Sequence, residues 1–374
     1  MKILLLSAYN TASHHYWCEG LMAQFSQYEW TYLSLPARYF AWRMRGNGLS
    51  WTYENHAELH QPYDLIVATS MVDLATLRGL NPQLHNVPAL LYFHENQFAY
   101  PVSKQQADIV AAQMVSLYSA ITAQRIVFNS EYNRSTFFDG LAALLKKLPD
   151  HVPKGIVEEL TNKSSVLFVP LVNAPQVAGT RSKQASAIRK IVWNHRWEYD
   201  KGPEQLLAFA TALPQGLPIK VHVVGQQFRQ MPEAFAQVRQ CLQDKKYLGE
   251  FGFIANKAEY LALLGQSDFV LSTALHDFQG LSILEAVQVG CVPIVPNRLA
   301  YQEIFDAQYR YPSRLDKPVE EAVGLIDKLQ EFLAKPIEQL HVPSVAELEW
   351  RVLKPAYEHI IEHCRDLKTG RQGV

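Results

Sequence analysis

Ser272-Thr273-Ala274-Leu275-His276-Asp277-Phe278-Gln279-Gly280-Leu281-Ser282-Ile283-Leu284-Glu285-Ala286-Val287-Gln288-Val289-Gly290-Cys291-Val292-Pro293-Ile294-Val295 reads as a strand end, a loop, a helix from about Gly280, a glycine C-cap at Gly290 and a second strand. Strand, helix and strand in such close succession are the unit of a parallel α/β sheet. Free backbone N–H groups at Gly280, Leu281 and Ser282 would point out of the helix N-terminus. That end favours a diphosphate through hydrogen bonding and the helix dipole. Glu285 lies about a turn further in, where it could accept from ribose hydroxyls. An ordinary βαβ unit with a solvated glutamate has the same pattern. A glycosidase pair does not fit: Asp277 and Glu285 stand ~12 Å apart along a helix axis, whereas hydrolysis needs carboxyls about 5–5.5 Å or about 6.5–9.5 Å apart. The spacing suits the two ends of an extended nucleotide-sugar.

Outward from this run, short β-branched or Leu-rich stretches alternate with amphipathic ones. Strands are expected at Ile3–Leu6, Thr31–Leu33, Leu65–Ala68, Ala89–Phe93, Ile126–Phe128 and Val166–Val169, with helices including Gln106–Ala123 and Glu131–Leu145. A polar segment from Asn173 to Gln184 has no apolar period and reads as a linker. The alternation restarts at Ile191–Trp193, Ile219–Val224, Tyr247–Glu250, Phe269–Leu271 and Val292–Val295. From Ser344 to about Leu367 the pattern is helical, with Pro355 expected to kink or break it. The expected organisation is a domain over 1–172, a linker over 173–188, a second domain over 189–342 and a C-terminal helix over 343–374. Two Rossmann-like α/β domains would face each other across a cleft, the last helix crossing back to the first domain. Ligands in such sheets bind beyond the C-terminal ends of strands, so the loops there are where chemistry is sought. Neither domain carries GxGxxG, which argues against a dinucleotide oxidoreductase.

Two further post-strand loops stand out. In Val192-Trp193-Asn194-His195-Arg196-Trp197-Glu198-Tyr199-Asp200-Lys201-Gly202-Pro203, Pro203 can open a helix. Arg196 and Lys201 could neutralise a leaving diphosphate without metal, or be two solvated cations. In Phe93-His94-Glu95-Asn96-Gln97-Phe98-Ala99-Tyr100-Pro101, His94 could bind a sugar hydroxyl or phosphate oxygen, or be structural. It makes no HExxH zinc site, because Phe98 occupies the second histidine position. His359, His363 and Cys364 have metal-like spacing on a charged terminal helix and read as solvated surface. Between Leu35 and Trp51 the arginines Arg38, Arg43 and Arg45 interleave with Tyr39, Phe40 and Trp42. That suits base stacking with phosphate contact, or arginines snorkelling over a half-buried helix.

Composition bounds the rest. A chain of 374 residues, 48% hydrophobic and 19% charged, can build two ordinary cores. The apolar start at Ile3–Leu6 meets polar residues after Ala8, too soon for a secretory h-region of roughly 7–15 residues. No stretch approaches the ~18 apolar residues of a membrane span. Cys18, Cys241, Cys291 and Cys364 are scattered and fit reduced thiols, so a cytoplasmic protein is expected. The net charge of -1 excludes a whole-molecule electrostatic grip on nucleic acid but not a local basic patch.

Together the three post-strand segments resemble a retaining GT-B glycosyltransferase of family 4. More narrowly, the whole chain resembles the tRNA-queuosine α-mannosyltransferase family. That likeness rests on Leu35-Pro36-Ala37 through Trp42-Arg43, His94 to Gln97 with Tyr100-Pro101, His195 to Glu198 with Asp200-Lys201, Ser272-Thr273-Ala274, Gly280, Leu284 to Val287 and Tyr301 with Glu303-Ile304-Phe305. The resemblance implies GDP-mannose as donor and co-substrate, queuosine in a tRNA anticodon as acceptor, retention of configuration, no cofactor, no metal and no obligate protein partner. It implies that Arg196 and Lys201 stabilise the diphosphate, that Glu285 with Gly280, Leu281 and Ser282 holds the donor, that Asp277 faces the sugar, and that His94 contacts sugar or phosphate. Arg38, Trp42, Arg43 and Arg45, with Asn10, Ser13 and His14 of the first loop, are expected at the acceptor. That loop lacks the family's usual glycines. Asp277 stands where glutamate is usual and Gln279 where phenylalanine is, which draws back the carboxylate facing the sugar. Alternatives are a family 4 enzyme with a lipid or saccharide acceptor, or a non-catalytic RNA-binding protein of the same fold.

Overall fold

The computed structural model describes residues 1–99, 109–173, 187–228 and 231–367. The chain forms two compact units, one of Met1–Val172 with Trp350–Val374 and the other of Asn173–Glu349. Most of the predicted linker, Tyr100-Pro101 of the His94 segment and the start of the Gln106–Ala123 helix lie outside the described residues.

In the first unit the strands are β1 (Lys2–Asn10), β2 (Glu29–Pro36), β3 (Leu65–Thr69), β4 (Ala89–Phe93), β5 (Arg125–Phe128) and β6 (Ser164–Val166). They form a parallel sheet of order β2-β1-β3-β4-β5-β6. Its helices are α1 (Ala12–Gln24), α2 (Phe40–Glu54), α3 (His56–Leu59), α4 (Leu74–Leu80), α5 (Ile109–Thr122), α6 (Glu131–Leu145) and α7 (Ile156–Asn162). β3 and β4 are buried on both faces, which is why they read as continuous apolar runs rather than alternating ones. α6 starts where Ser130 caps the N–H of Asn133.

The second unit holds β7 (Arg189–Trp193), β8 (Ile219–Val224), β9 (Leu248–Gly252), β10 (Phe269–Leu271), β11 (Val292–Pro296) and β12 (Arg310–Tyr311), in the parallel order β12-β11-β10-β7-β8-β9. Around them lie α8 (Pro203–Ala212), α9 (Ala234–Asp244), α10 (Lys257–Gln266), α11 (Leu281–Gln288), α12 (Tyr301–Ile304) and α13 (Pro318–Leu333). The order reverses between β1 and β3 in one sheet and between β7 and β10 in the other. These are the switch points at which open α/β sheets leave a crevice for ligands.

The last helix, α14 (Trp350–Asp366), returns to the first unit. Trp17 Nε1 donates to Tyr357 Oη at 3.0 Å, and Trp350 N–H to the carbonyl of Leu171 at 3.0 Å. The helical pattern read from Ser344 begins only at Trp350, and the helix runs on through Pro355. Pro355 is exposed, so the hydrogen bond it removes falls on the solvent side. The strand expected at Val166–Val169 lies two residues earlier, because its partner β5 ends at Phe128, which pairs with Val166. The two-residue β12 is too short to leave a periodic signal.

Candidate active site

The loops after β7 and β10 flank the second switch point and are stitched together. The carbonyl of Asp200 accepts from the N–H groups of Leu275 and His276 at 2.9 and 3.0 Å. Lys201 Nζ donates to the carbonyl of His276 at 2.8 Å, and Thr273 Oγ1 to that of Lys201 at 2.9 Å. Gly202, at φ 68°, lets the chain pass so close that a Cβ there would lie 2.0 Å from the carbonyl oxygen of Thr273. Pro203 then opens α8. Behind the β10 loop, buried Arg298 donates to the carbonyls of Ala274 and Thr273 at 2.9 and 3.2 Å, and pairs bidentately with Glu321 at 2.6 and 2.9 Å.

Lys201 Nζ lies 3.2 Å from Asp200 Oδ2 and 3.5 Å from Asp277 Oδ2. Burial pushes the Asp277 carboxyl up, but Lys201, the His195 and His276 rings and the Gly280 N–H outweigh it and hold the group below its usual range. Asp277 is therefore ionised at neutral pH. Arg196, 38% exposed, reaches Glu198 Oε2 at 2.8 Å and Asp200 Oδ2 at 3.8 Å. Burial raises the Glu198 carboxyl against the pull of Arg196.

α11 starts at Gly280, whose φ of 79° is left-handed; a Cβ there would lie 2.7 Å from the Tyr301 ring. Its N–H is not free as the sequence suggested: Asp277 Oδ1 accepts it at 2.9 Å. The N–H groups of Leu281 and Ser282 have no acceptor among the described residues. The helix closes at Gly290 in a Schellman arrangement, with Gly290 N–H on Val287 and Cys291 N–H on Ala286. Glu285 Oε1 meets Lys257 Nζ at 2.8 Å and its Oε2 accepts from Tyr260 at 3.5 Å, so a ribose hydroxyl there would compete with α10.

In the first unit, buried His14 and His94 stack at 4.3 Å between ring centroids. Burial, and His14 beside it, hold the His94 imidazole well below its usual pKa and hence neutral; its Nε2 has no hydrogen-bond partner among the described residues. His14 Nε2 meets Glu95 Oε2 at 2.9 Å, and Ser70 Oγ donates to Glu95 Oε1 at 2.6 Å. Asn10 Oδ1 accepts from Ser7, and Ser13 Oγ meets Thr11 Oγ1. On α2, Trp42 is 50% exposed and lies against Gly46, where a Cβ would be 2.7 Å from its ring. Arg38 and Arg45 are exposed, and Arg43 Nε donates to the carbonyl of Pro36 at 3.3 Å.

Arg196, Lys201, Asp277 and Gly280 thus meet in one cluster, while Glu285 stands on the same helix but is held from α10. His94, His14 and the α2 arginines belong to the other unit. Asp200, His195, Ser272 and Tyr301, which complete the cluster, and Glu95, which ties the first loop to the His94 segment, stand inside the motifs quoted for the family resemblance but were given no role from sequence.

A family model for the N-terminal part of tRNA-queuosine alpha-mannosyltransferases matches residues 2–171. Among solved structures, sucrose-phosphate synthase from Thermosynechococcus elongatus shares the fold at TM-score 0.68 and 16% identity, covering 97% of this chain and 98% of that one. Anabaena HepE in complex with UDP and glucose does so at TM-score 0.63 and 14% identity, covering 97% and 100%. The likeness to these glycosyltransferases makes the two parallel sheets a GT-B fold. A tRNA-queuosine alpha-mannosyltransferase from Drosophila melanogaster is 31% identical over 320 residues, 83% of each chain. Identity at that level over most of both chains, with the glycosyltransferase fold beneath it, makes this chain a glycosyltransferase belonging to the tRNA-queuosine alpha-mannosyltransferase family.

Proposed function

We propose that the protein transfers mannose from GDP-mannose to queuosine in a tRNA anticodon, with retention of the α configuration, in the cytoplasm. The likeness to the Drosophila enzyme over 320 residues, more than either unit alone supplies, carries this reading. The second unit holds the donor. Arg196, 38% exposed, and Lys201, fixed beside Asp277, meet the diphosphate, and the N–H groups at the start of α11 take its remaining oxygens. Glu285 exchanges Lys257 for the ribose, and Asp277 faces the sugar. His94, neutral and with Nε2 unpartnered among the described residues, is the first unit's contact to sugar or phosphate. Arg38, Trp42, Arg43 and Arg45, with Asn10, Ser13 and His14, receive the tRNA.

In this mechanism the acceptor hydroxyl attacks the anomeric carbon on the face from which the diphosphate leaves. The anomeric bond to phosphate breaks as the new glycosidic bond forms, and the hydroxyl proton passes to the departing phosphate oxygen. No carboxylate nucleophile is needed. The rate comes from positioning and from cations meeting the charge that builds on the diphosphate. Titration calorimetry tests the donor assignment: wild type should bind GDP-mannose, and Glu285→Ala should bind it roughly tenfold more weakly, the worth of a hydrogen bond to a charged group. Undiminished binding would remove Glu285 from the donor site, and a preference for a uridine nucleotide would replace the guanosine donor.

A further inference from the structure

His195, buried among the residues of the donor cluster, sits in a chain of side-chain hydrogen bonds whose proton positions are fixed from one end. Asp277 is ionised and can only accept, so Tyr301 donates to its Oδ2 at 3.2 Å. A phenol has one proton, so at the 2.9 Å contact between Tyr301 and Ser272 the serine must donate. Ser272 Oγ then has two lone pairs left. One takes the N–H of Ala274 at 3.2 Å, the other faces His195 Nε2 at 2.9 Å. That nitrogen must carry the proton. Burial holds the His195 pKa down at about 4, with Asp277 and Asp200 opposing and Lys201 and Arg196 assisting, so the ring is neutral and its Nδ1 is bare. Nδ1 therefore accepts from Ser282 Oγ at 3.3 Å.

We infer that His195 is a positioning residue of the donor site: fixed as the Nε2–H tautomer by Asp277 through Tyr301 and Ser272, it draws the Ser282 hydroxyl proton inward. The hydroxyl of half-buried Ser282 thereby turns its lone pairs to the ligand. It cannot donate to a phosphate oxygen. It accepts from a hydroxyl of the nucleotide-sugar, while the Ser282 backbone N–H remains for the anion. This inference rests on the donor reading proposed above.

Imidazole 15N spectra, with His195 assigned by difference against His195→Gln, test the first part in the free protein. The expected pattern is the neutral Nε2–H tautomer at pH 7; an Nδ1–H tautomer or an imidazolium overturns the inference. The second part is read by a double-mutant cycle on KM for the donor. His195→Ala and Ser282→Ala should each raise it, and the double variant should raise it no further than the larger single effect, because both break one contact. Tyr301→Phe, which keeps the ring and removes the hydroxyl that links Asp277 to Ser272, should raise KM in the same direction. Independent, multiplying losses, or a Tyr301→Phe enzyme with wild-type KM, overturn it. Failure of wild type to bind GDP-mannose would instead sink the donor reading, and the tautomer result would stand apart from it.

Discussion

Lys201 and Arg196 carry the same charge in different surroundings. Lys201 is 10% exposed and faces two carboxylates, whereas Arg196 is 38% exposed and paired to a half-buried one. Removing a cation from a developing charge raises the barrier by roughly 2.7–4 kcal/mol, so Arg196→Ala and Lys201→Ala should both lose about two to three orders of magnitude in kcat. Their stabilities should part. Arg196→Ala should cost no more than ~1 kcal/mol, as for an exposed ion pair, while Lys201→Ala takes from buried Asp277 its cation, leaves Asp200 only Arg196 at 3.8 Å, and should cost about 3–5 kcal/mol. Urea unfolding beside steady-state rates checks both. Near-normal turnover in a folded variant removes that cation from the mechanism. The sequence placed these cations on one post-strand loop with Glu198 and Asp200, and Asp277 on another, but not the pairing between them. Asp277 lies far along the chain, and nothing in its neighbours announces that its second oxygen caps Gly280.

The elements most legible in the sequence are those whose pattern comes from burial on both faces, such as β3, β4 and β10, or from a capped amphipathic helix, such as α6. Those that were not depend on partners distant in sequence. β12 exists only because Tyr311 pairs with Pro296, and α14 passes through Pro355 because its inner face, with Trp350, Tyr357 and Ile361 buried, is held by the first sheet. The β7–α8 turn shows the converse, a single residue fixing an element. Gly202→Ala would set a side chain against the carbonyl of Thr273 in a left-handed conformation, and should destabilise the protein by at least about 1–3 kcal/mol; a wild-type melting point would show that the two loops can part without cost. On α2 and the turn before it, replacing Arg38, Arg43 and Arg45 by Ala should weaken tRNA binding broadly and flatten its salt dependence by about one phosphate per lost cation, leaving donor affinity unchanged. Equal salt slopes in the triple variant and wild type would mark these arginines as mere surface.

At the scale of the molecule, a net charge of -1 gives no general attraction for RNA, so a tRNA substrate has to be held by local patches such as that on α2. No described helix is long and apolar enough to cross a membrane. Two protein cations assigned to the diphosphate leave no charge for a metal to neutralise, so turnover should be unaffected by excess chelator; activity lost to chelator and restored by Mg²⁺ or Mn²⁺ would put a metal in place of that mechanism. The central claim is transfer of mannose to queuosine. It is tested most directly by incubating the protein with queuosine-containing tRNA and a panel of nucleotide sugars, then digesting the tRNA and analysing its nucleosides by mass spectrometry. Conversion of queuosine to a species heavier by one hexosyl group, with GDP-mannose and not with the other donors, is the predicted result; unchanged queuosine with every donor, from protein that binds GDP-mannose, would contradict it.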